Sequence, residues 1–214
     1  MNLQTERLTL SGVAGAIEAA RDAASLPDGA APRGVAILAH PHPLFGGTMD
    51  NKVVQTLARA FVQCGFTAVR FNFRGVGASA GGYDEGRGEL QDLLAIVQQV
   101  APHGPLALAG FSFGAFVTTH AVQALWSPER LQKIVLVGTA ASRFDPAPVP
   151  PQAHERTLVL HGEQDDTVPL ASVLDWARPQ VLPVTVVPGG EHFFHGQLPL
   201  LKSLVLRHLL SPVL

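Results

Sequence analysis

Hydrophobic and polar positions follow two periods along this chain. Apolar runs of strand length alternate with stretches whose apolar residues recur at helical spacing. The runs at 35–39, Phe66–Phe71, 106–109, 134–137, 158–160 and Val184–Val187 are nearly continuous, which predicts strands buried on both faces. Between them, 51–63 places Val53, Val54, Leu57, Ala58, Phe61 and Val62 on one helical stripe. The segment 90–100 does the same with Leu93, Leu94, Ile96, Val97 and Val100. Further helices are expected after residue 112, at Leu170–Ala177 and at 200–210. Two short amphipathic segments, 6–10 and 15–21, open the chain. The alanines of the second would also suit a helix, but the small-residue loops flanking each piece favour a strand pair. The expected fold class is therefore α/β: a mainly parallel central sheet with helices on both faces and antiparallel strands at the N-terminal edge. Right-handed crossovers bring the loops after the parallel strands to one edge, where such sheets bind ligands.

Composition narrows this picture. The 214 residues suit one domain spanning 1–214, with 47% apolar and 15% charged residues, as in a globular protein. A net charge of −2 without basic runs argues against nucleic acid as the main partner. No apolar run reaches the length of a membrane span, and the first residues lack a signal-peptide core, so no membrane association and a cytoplasmic location are expected. Cys64, the only cysteine, reads as a buried structural residue. The proline-rich stretch 145–151 reads as a surface loop. The few residues between the strands at 134–137 and 158–160 leave no room for a large helical lid. The apolar run 198–214 is expected to form core or the face of a homodimer.

The chemistry concentrates in a few loops. Gly110-Phe111-Ser112-Phe113-Gly114 lies between a strand-like and a helix-like run, the context of a nucleophile elbow. A second match, Gly77-Ala78-Ser79-Ala80-Gly81, has neither an adjoining strand nor a following helix, so Ser79 reads as a loop serine. A serine hydroxyl needs a base, and the base needs an orienting carboxylate. In this architecture the acid and then the histidine follow the serine in the chain. Asp165 and Asp166, after the strand ending at 160, compete for the acid. His192, after Gly189-Gly190, is the candidate base, with His195 as a base or a pocket residue. An oxyanion would be met by the Phe113 N–H and by a donor from the loop His40-Pro41-His42-Pro43-Leu44-Phe45-Gly46-Gly47. Pro41 and Pro43 have no N–H, so His42 is the first available donor after His40 and Leu44 the next. Leu44, Phe45 and His195 are candidate pocket residues. His40, His42, His192 and His195 raise a metal reading, but no metal-ligand motif accompanies them, and neither a metal nor any other cofactor is expected.

Five stretches, HPHPLFGGTMDNKVV from His40, RFNFRGVGASAG from Arg70, GFSFGA from Gly110, HGEQDDTVP from His161 and GGEHFFHG from Gly189, together resemble the α/β-hydrolase superfamily. More narrowly, the chain resembles the small lidless bacterial serine hydrolases related to dienelactone hydrolases. The resemblance implies Ser112 as nucleophile, Asp165 rather than Asp166 as acid, His192 as base and His42 as second oxyanion donor, with Pro41 where the family has glycine. Dienelactone hydrolases carry a cysteine nucleophile, so their substrate does not transfer. Arg74 is expected to organise its loop through Asp84, Glu89 or Asp92. The expected activity is cleavage of small carboxylic esters through an acyl-enzyme, with a small-molecule ester as partner. A thioesterase or peptidase using the same residues, and a non-catalytic interaction protein of the same fold, are the alternatives.

Overall fold

The computed structural model describes residues 5–27 and 30–212. Residues 1–4 and 213–214, the ends of the N-terminal segment and of the C-terminal apolar run considered above, lie outside the described residues. Eight strands form one sheet: β1 (Thr5–Gly12), β2 (Gly15–Asp22), β3 (Gly34–Ala39), β4 (Phe66–Phe71), β5 (Leu106–Phe111), β6 (Leu131–Val137), β7 (Thr157–Gly162) and β8 (Val184–Val187). Their spatial order is β1-β2-β4-β3-β5-β6-β7-β8. The β1–β2 and β2–β4 pairings are antiparallel, and the remaining five are parallel. This is the α/β-hydrolase arrangement implied by the sequence, and the ambiguous alanine-rich segment is indeed a strand.

The helices α1 (Lys52–Gln63), α2 (Arg87–Val100), α3 (Phe113–Leu125), α4 (Leu170–Ala177) and α5 (Leu198–Leu210) cover both faces. The central strand β5 shows why both faces need cover. Leu106 and Leu108 point into a core shared with Leu93, Val117 and Val173 of α2, α3 and α4. Ala107, Ala109 and Phe111 point into the opposite core, with Val54, Leu57 and Phe61 of α1 and Leu201 and Val205 of α5. Alternation at period two thus feeds two cores from one strand. Truncating the fully buried Phe61 to alanine would cost about 3–5 kcal/mol.

Two boundaries depart from the periodicity. Helix α2 begins at Arg87 because the Glu89 carboxylate accepts the N–H groups of Gly86 and Asp84, each at 2.9 Å, and starts the helix ahead of its apolar stripe. The proline-rich stretch ends in a short 3-10 segment, Pro151–Arg156. Among the described residues no α-helix lies between β6 and β7, so that crossover carries no helical lid. No helix of the described residues is long and apolar enough to cross a membrane.

Candidate active site

Ser112 sits where β5 meets α3. Its backbone adopts φ 58° and ψ −118°, a sparsely populated region that costs a non-glycine residue about 1–3 kcal/mol. The turn is held by the Ser112 N–H, which donates to the Val137 carbonyl of β6 at 2.8 Å. Both flanking glycines are sterically required. A Cβ on Gly110 would run into the Gly114 carbonyl, and one on Gly114 into the carbonyls of Ala39 and His40. A serine at a helix N-cap normally accepts a backbone N–H of that helix. Ser112 makes no such bond, which leaves its hydroxyl for another partner.

That partner is His192, whose Nε2 lies 3.0 Å from Ser112 Oγ. His192 Nδ1 lies 2.6 Å from Asp165 Oδ2. Asp165 is buried, and its other oxygen accepts the N–H groups of Thr167 at 3.0 Å and Val168 at 2.7 Å. These bonds aim one carboxylate oxygen at the imidazole and occupy the other. Asp166 is exposed and meets only the Thr167 hydroxyl, at 3.3 Å.

The loops after β7 and β8 are laced together. Gln164 N–H donates to the Gly190 carbonyl at 2.8 Å, Glu163 N–H to Val187 at 3.0 Å, and the Glu163 carboxylate accepts Gly189 N–H at 2.8 Å. Gly162 permits this, since a Cβ there would strike the Gly190 carbonyl. The two phenylalanines after His192 divide their work. Phe194 is fully buried in the α1/α5 core and anchors the loop, while Phe193 stands half-exposed with its ring 5.0 Å from that of His192. Gly138, at φ 55°, lies under the imidazole, where a Cβ would come within 3.3 Å of His192.

The loop after β3 forms the opposite wall. His40 is buried with both ring nitrogens engaged: Nδ1 donates to the Pro41 carbonyl at 2.6 Å and Nε2 accepts the Phe73 N–H at 2.9 Å. Burial lowers its pKa from 6.5 to about 4, so the ring is neutral near pH 7. With no lone pair left, His40 is a brace and not a metal ligand. The His42 ring accepts the Leu44 N–H at 3.2 Å and packs against Phe45, Tyr83, Phe113 and Phe144. Burial, and secondarily the Arg143 cation, lower its pKa. The Leu44 N–H is therefore occupied, while among the described residues the N–H groups of His42 and Phe113 have no protein acceptor.

A cleft of about 330 Å³ opens above these groups, lined by Ser112, His192, His42, Phe45, Phe193 and Arg143, together with Pro41, Gly46, Gly47, Asn51 and Thr167. Phe45, a candidate pocket residue, is one of these lining residues. Leu44 and His195 are not among its lining residues. Leu44 is exposed beside the cleft, and His195 is drawn to the surface by Glu191, whose Oε1 lies 2.6 Å from its Nδ1.

The remaining motif residues are structural. Arg74 binds Asp92 through two bonds of 2.8 and 3.0 Å. Ser79 donates to the Asn72 carbonyl at 2.7 Å and accepts the Glu18 N–H at 3.0 Å. Cys64 is buried at the end of α1. Sequence reasoning missed His161, Arg143, Asn51, Thr167, Gly138 and Gly162. His161 is fully buried, and its Nε2 donates to the Val168 carbonyl at 2.9 Å while lying 3.5 Å from Asp165 Oδ2. Arg143 was open to detection, because its loop follows β6 at the ligand-binding edge.

Known proteins share this fold. A serine hydrolase of Xanthomonas campestris described as lacking a lid superposes with a TM-score of 0.84, at 38% identity, covering 97% of this chain and 94% of that one. An α/β serine hydrolase homologue from Coxiella burnetii gives 0.80 at 36% identity, with coverages of 96% and 97%. An uncharacterized protein of Rickettsia prowazekii is 31% identical over 176 residues, 75% of this chain and 71% of that protein. The model of the family described as serine aminopeptidase, S33, matches residues 30–156. That match spans more than half of the chain and takes in both the loop after β3 and the Ser112 turn, so the chain belongs to this family of α/β-hydrolases.

Proposed function

We propose that this hydrolase cleaves carboxylic esters of small molecules through an acyl-enzyme. The observation that carries the hydrolytic chemistry is the unbroken relay from Ser112 Oγ through His192 to Asp165, with spacings of 3.0 and 2.6 Å. Ser112 Oγ attacks the ester carbonyl while His192 Nε2 takes its proton. Asp165 holds the Nδ1–H tautomer and stabilises the imidazolium. The developing oxyanion is met by the N–H groups of Phe113 and His42. Collapse of the tetrahedral intermediate breaks the C–O bond, and His192 returns its proton to the departing alkoxide. Water then enters along the same path, gives a proton to His192, and releases the acid and the free Ser112 hydroxyl. The relay also disfavours a purely non-catalytic role, which would not preserve a hydroxyl free of backbone partners at a strained turn.

The family description favours a second reading, an aminopeptidase. Such an enzyme must bind the free α-ammonium of its substrate, and a carboxylate is the usual partner for a buried cation. No carboxylate lines this cleft among the described residues, and its one charged wall residue is Arg143. This supports an ester over an aminoacyl substrate, and a cleft of about 330 Å³ without a helical lid after β6 supports short acyl groups. Matched acetyl-to-decanoyl 4-nitrophenyl esters, a thioester and an aminoacyl 4-nitroanilide test the reading. The expected order of kcat/KM is ester, thioester, amide, with a maximum at short acyl chains. Faster turnover of the aminoacyl anilide than of the matched ester, or a steady rise with chain length, contradicts it.

A further inference from the structure

Among the described residues, Arg143 is the one Lys or Arg that lines the cleft holding Ser112 and His192. Arg70, Arg74 and Arg87 are paired with carboxylates, and Arg33 and Arg156 hold backbone carbonyls. Arg143 does neither among the described residues. Its guanidinium lies 5.7 Å from the centroid of the Phe45 ring, and both residues line the cleft that contains Ser112 and His192. The groove on its other side holds Glu85 and Asp145, but Glu85 is engaged by Arg87 at 3.1 Å. Two other features of the same cleft favour negative charge. Asn51, the N-cap of the twelve-residue helix α1, is a lining residue, so that helix begins at the cleft wall. Asn51 Oδ1 is used by the Val53 N–H, which turns the amide's donor side to other partners.

We infer that Arg143 is a specificity-determining residue that binds an anionic group of the substrate, so that the preferred esters carry a carboxylate or similar acidic group besides the scissile bond. The inference rests on the ester-hydrolase reading and names its substrate class. An exposed guanidinium on the cleft wall, with five donors and no internal partner, can take a planar carboxylate through two parallel bonds. The catalytic oxyanion does not satisfy it, since that charge is assigned to backbone N–H groups and exists only in transit.

Two matched substrate pairs test this. In 4-nitrophenyl hydrogen adipate against 4-nitrophenyl hexanoate the anion is on the acyl side. In 4-acetoxybenzoate against its methyl ester it is on the alcohol side. For at least one pair, the wild-type ratio of kcat/KM, anionic over neutral, should exceed that of Arg143→Gln by about tenfold at low ionic strength. Arg143→Glu should lower the ratio further, Arg143→Lys should retain part of it, and added salt should shrink the wild-type advantage. Each substitution should slow the anionic ester of a pair more than the neutral one, because Arg143 touches none of the proton-relay groups. If both ratios are the same in wild type and Arg143→Gln, or if the substitution slows neutral and anionic esters equally, the inference is overturned. Wild-type failure on all four esters would instead remove the ester reading itself, so the two failures are distinguishable.

Discussion

Two serines of this chain occupy the same pentapeptide pattern and the same degree of exposure, 7% each, yet their hydroxyls meet opposite fates. Ser79 lies in the loop after β4, where its oxygen donates to Asn72 and accepts from Glu18, tying that loop to β2. Ser112 lies at a strand–helix junction that withholds its backbone partners and leaves its oxygen for His192. A glycine pattern thus supplies only the permission for a tight turn. The elements on either side decide whether the hydroxyl is consumed by structure or kept for chemistry. Even the glycines differ in purpose: Gly77 and Gly81 adopt φ of 56° and 84°, whereas Gly110 and Gly114 are needed because backbone approaches them closely.

The largest expected effect separates these serines directly. Ser112→Ala should lower kcat for a short-chain ester by about 10⁴-fold or more, while Ser79→Ala should leave kcat within a few-fold in the folded protein. Comparable losses in both variants would break the distinction. Next, Asp165→Asn should cost about 10³–10⁴-fold by placing the wrong tautomer at His192, with Asp166→Asn near wild type. The reverse ranking would move the acid by one residue.

His40 joins the two regions, since it starts the loop facing Ser112 and its ring binds Phe73 at the head of the Ser79 loop. Burial pushes the pKa of His40, and of the remote His208, down to about 4. The unfolded chain, with histidine pKa values near 6.5, then binds more protons in the interval between. Stability is therefore complete above about pH 6.5 and declines as pH falls through 4, by up to about 3 kcal/mol per group. Denaturant titrations from pH 7 to 4 should show this loss, and His208→Gln should reduce its slope. A pH-independent midpoint would refute the neutral, buried assignment. The smallest effect belongs to Ser79→Ala, a stability loss of about 1–2 kcal/mol from two orphaned backbone groups, read as a lower unfolding midpoint without a change in kcat/KM.

Much of this was legible in the sequence, for reasons that differ by element. The strands at 35–39 and 106–109 could be read because burial on both faces demands continuous apolar residues. The start of α2 could not, because it depends on where the Glu89 side chain reaches. Ser112, Asp165 and His192 were legible through chain order and loop position, and Asp165 was separated from Asp166 only by family resemblance until the N–H groups of Thr167 and Val168 were located. Gly138, Gly162 and His161 escaped because their importance arises from the approach of loops distant in sequence. The places of Leu44 and His195 are set by local neighbours, the His42 ring and Glu191, that periodicity does not reveal.

Ser112 is expected to be the one activated nucleophile among the serines. Mass spectrometry after treatment with a fluorophosphonate probe tests it most directly. A single adduct is expected on Ser112, abolished by Ser112→Ala and by prior acylation, and undiminished in Ser79→Ala. A folded wild-type protein that takes up no probe, or an adduct that persists in Ser112→Ala, would contradict it.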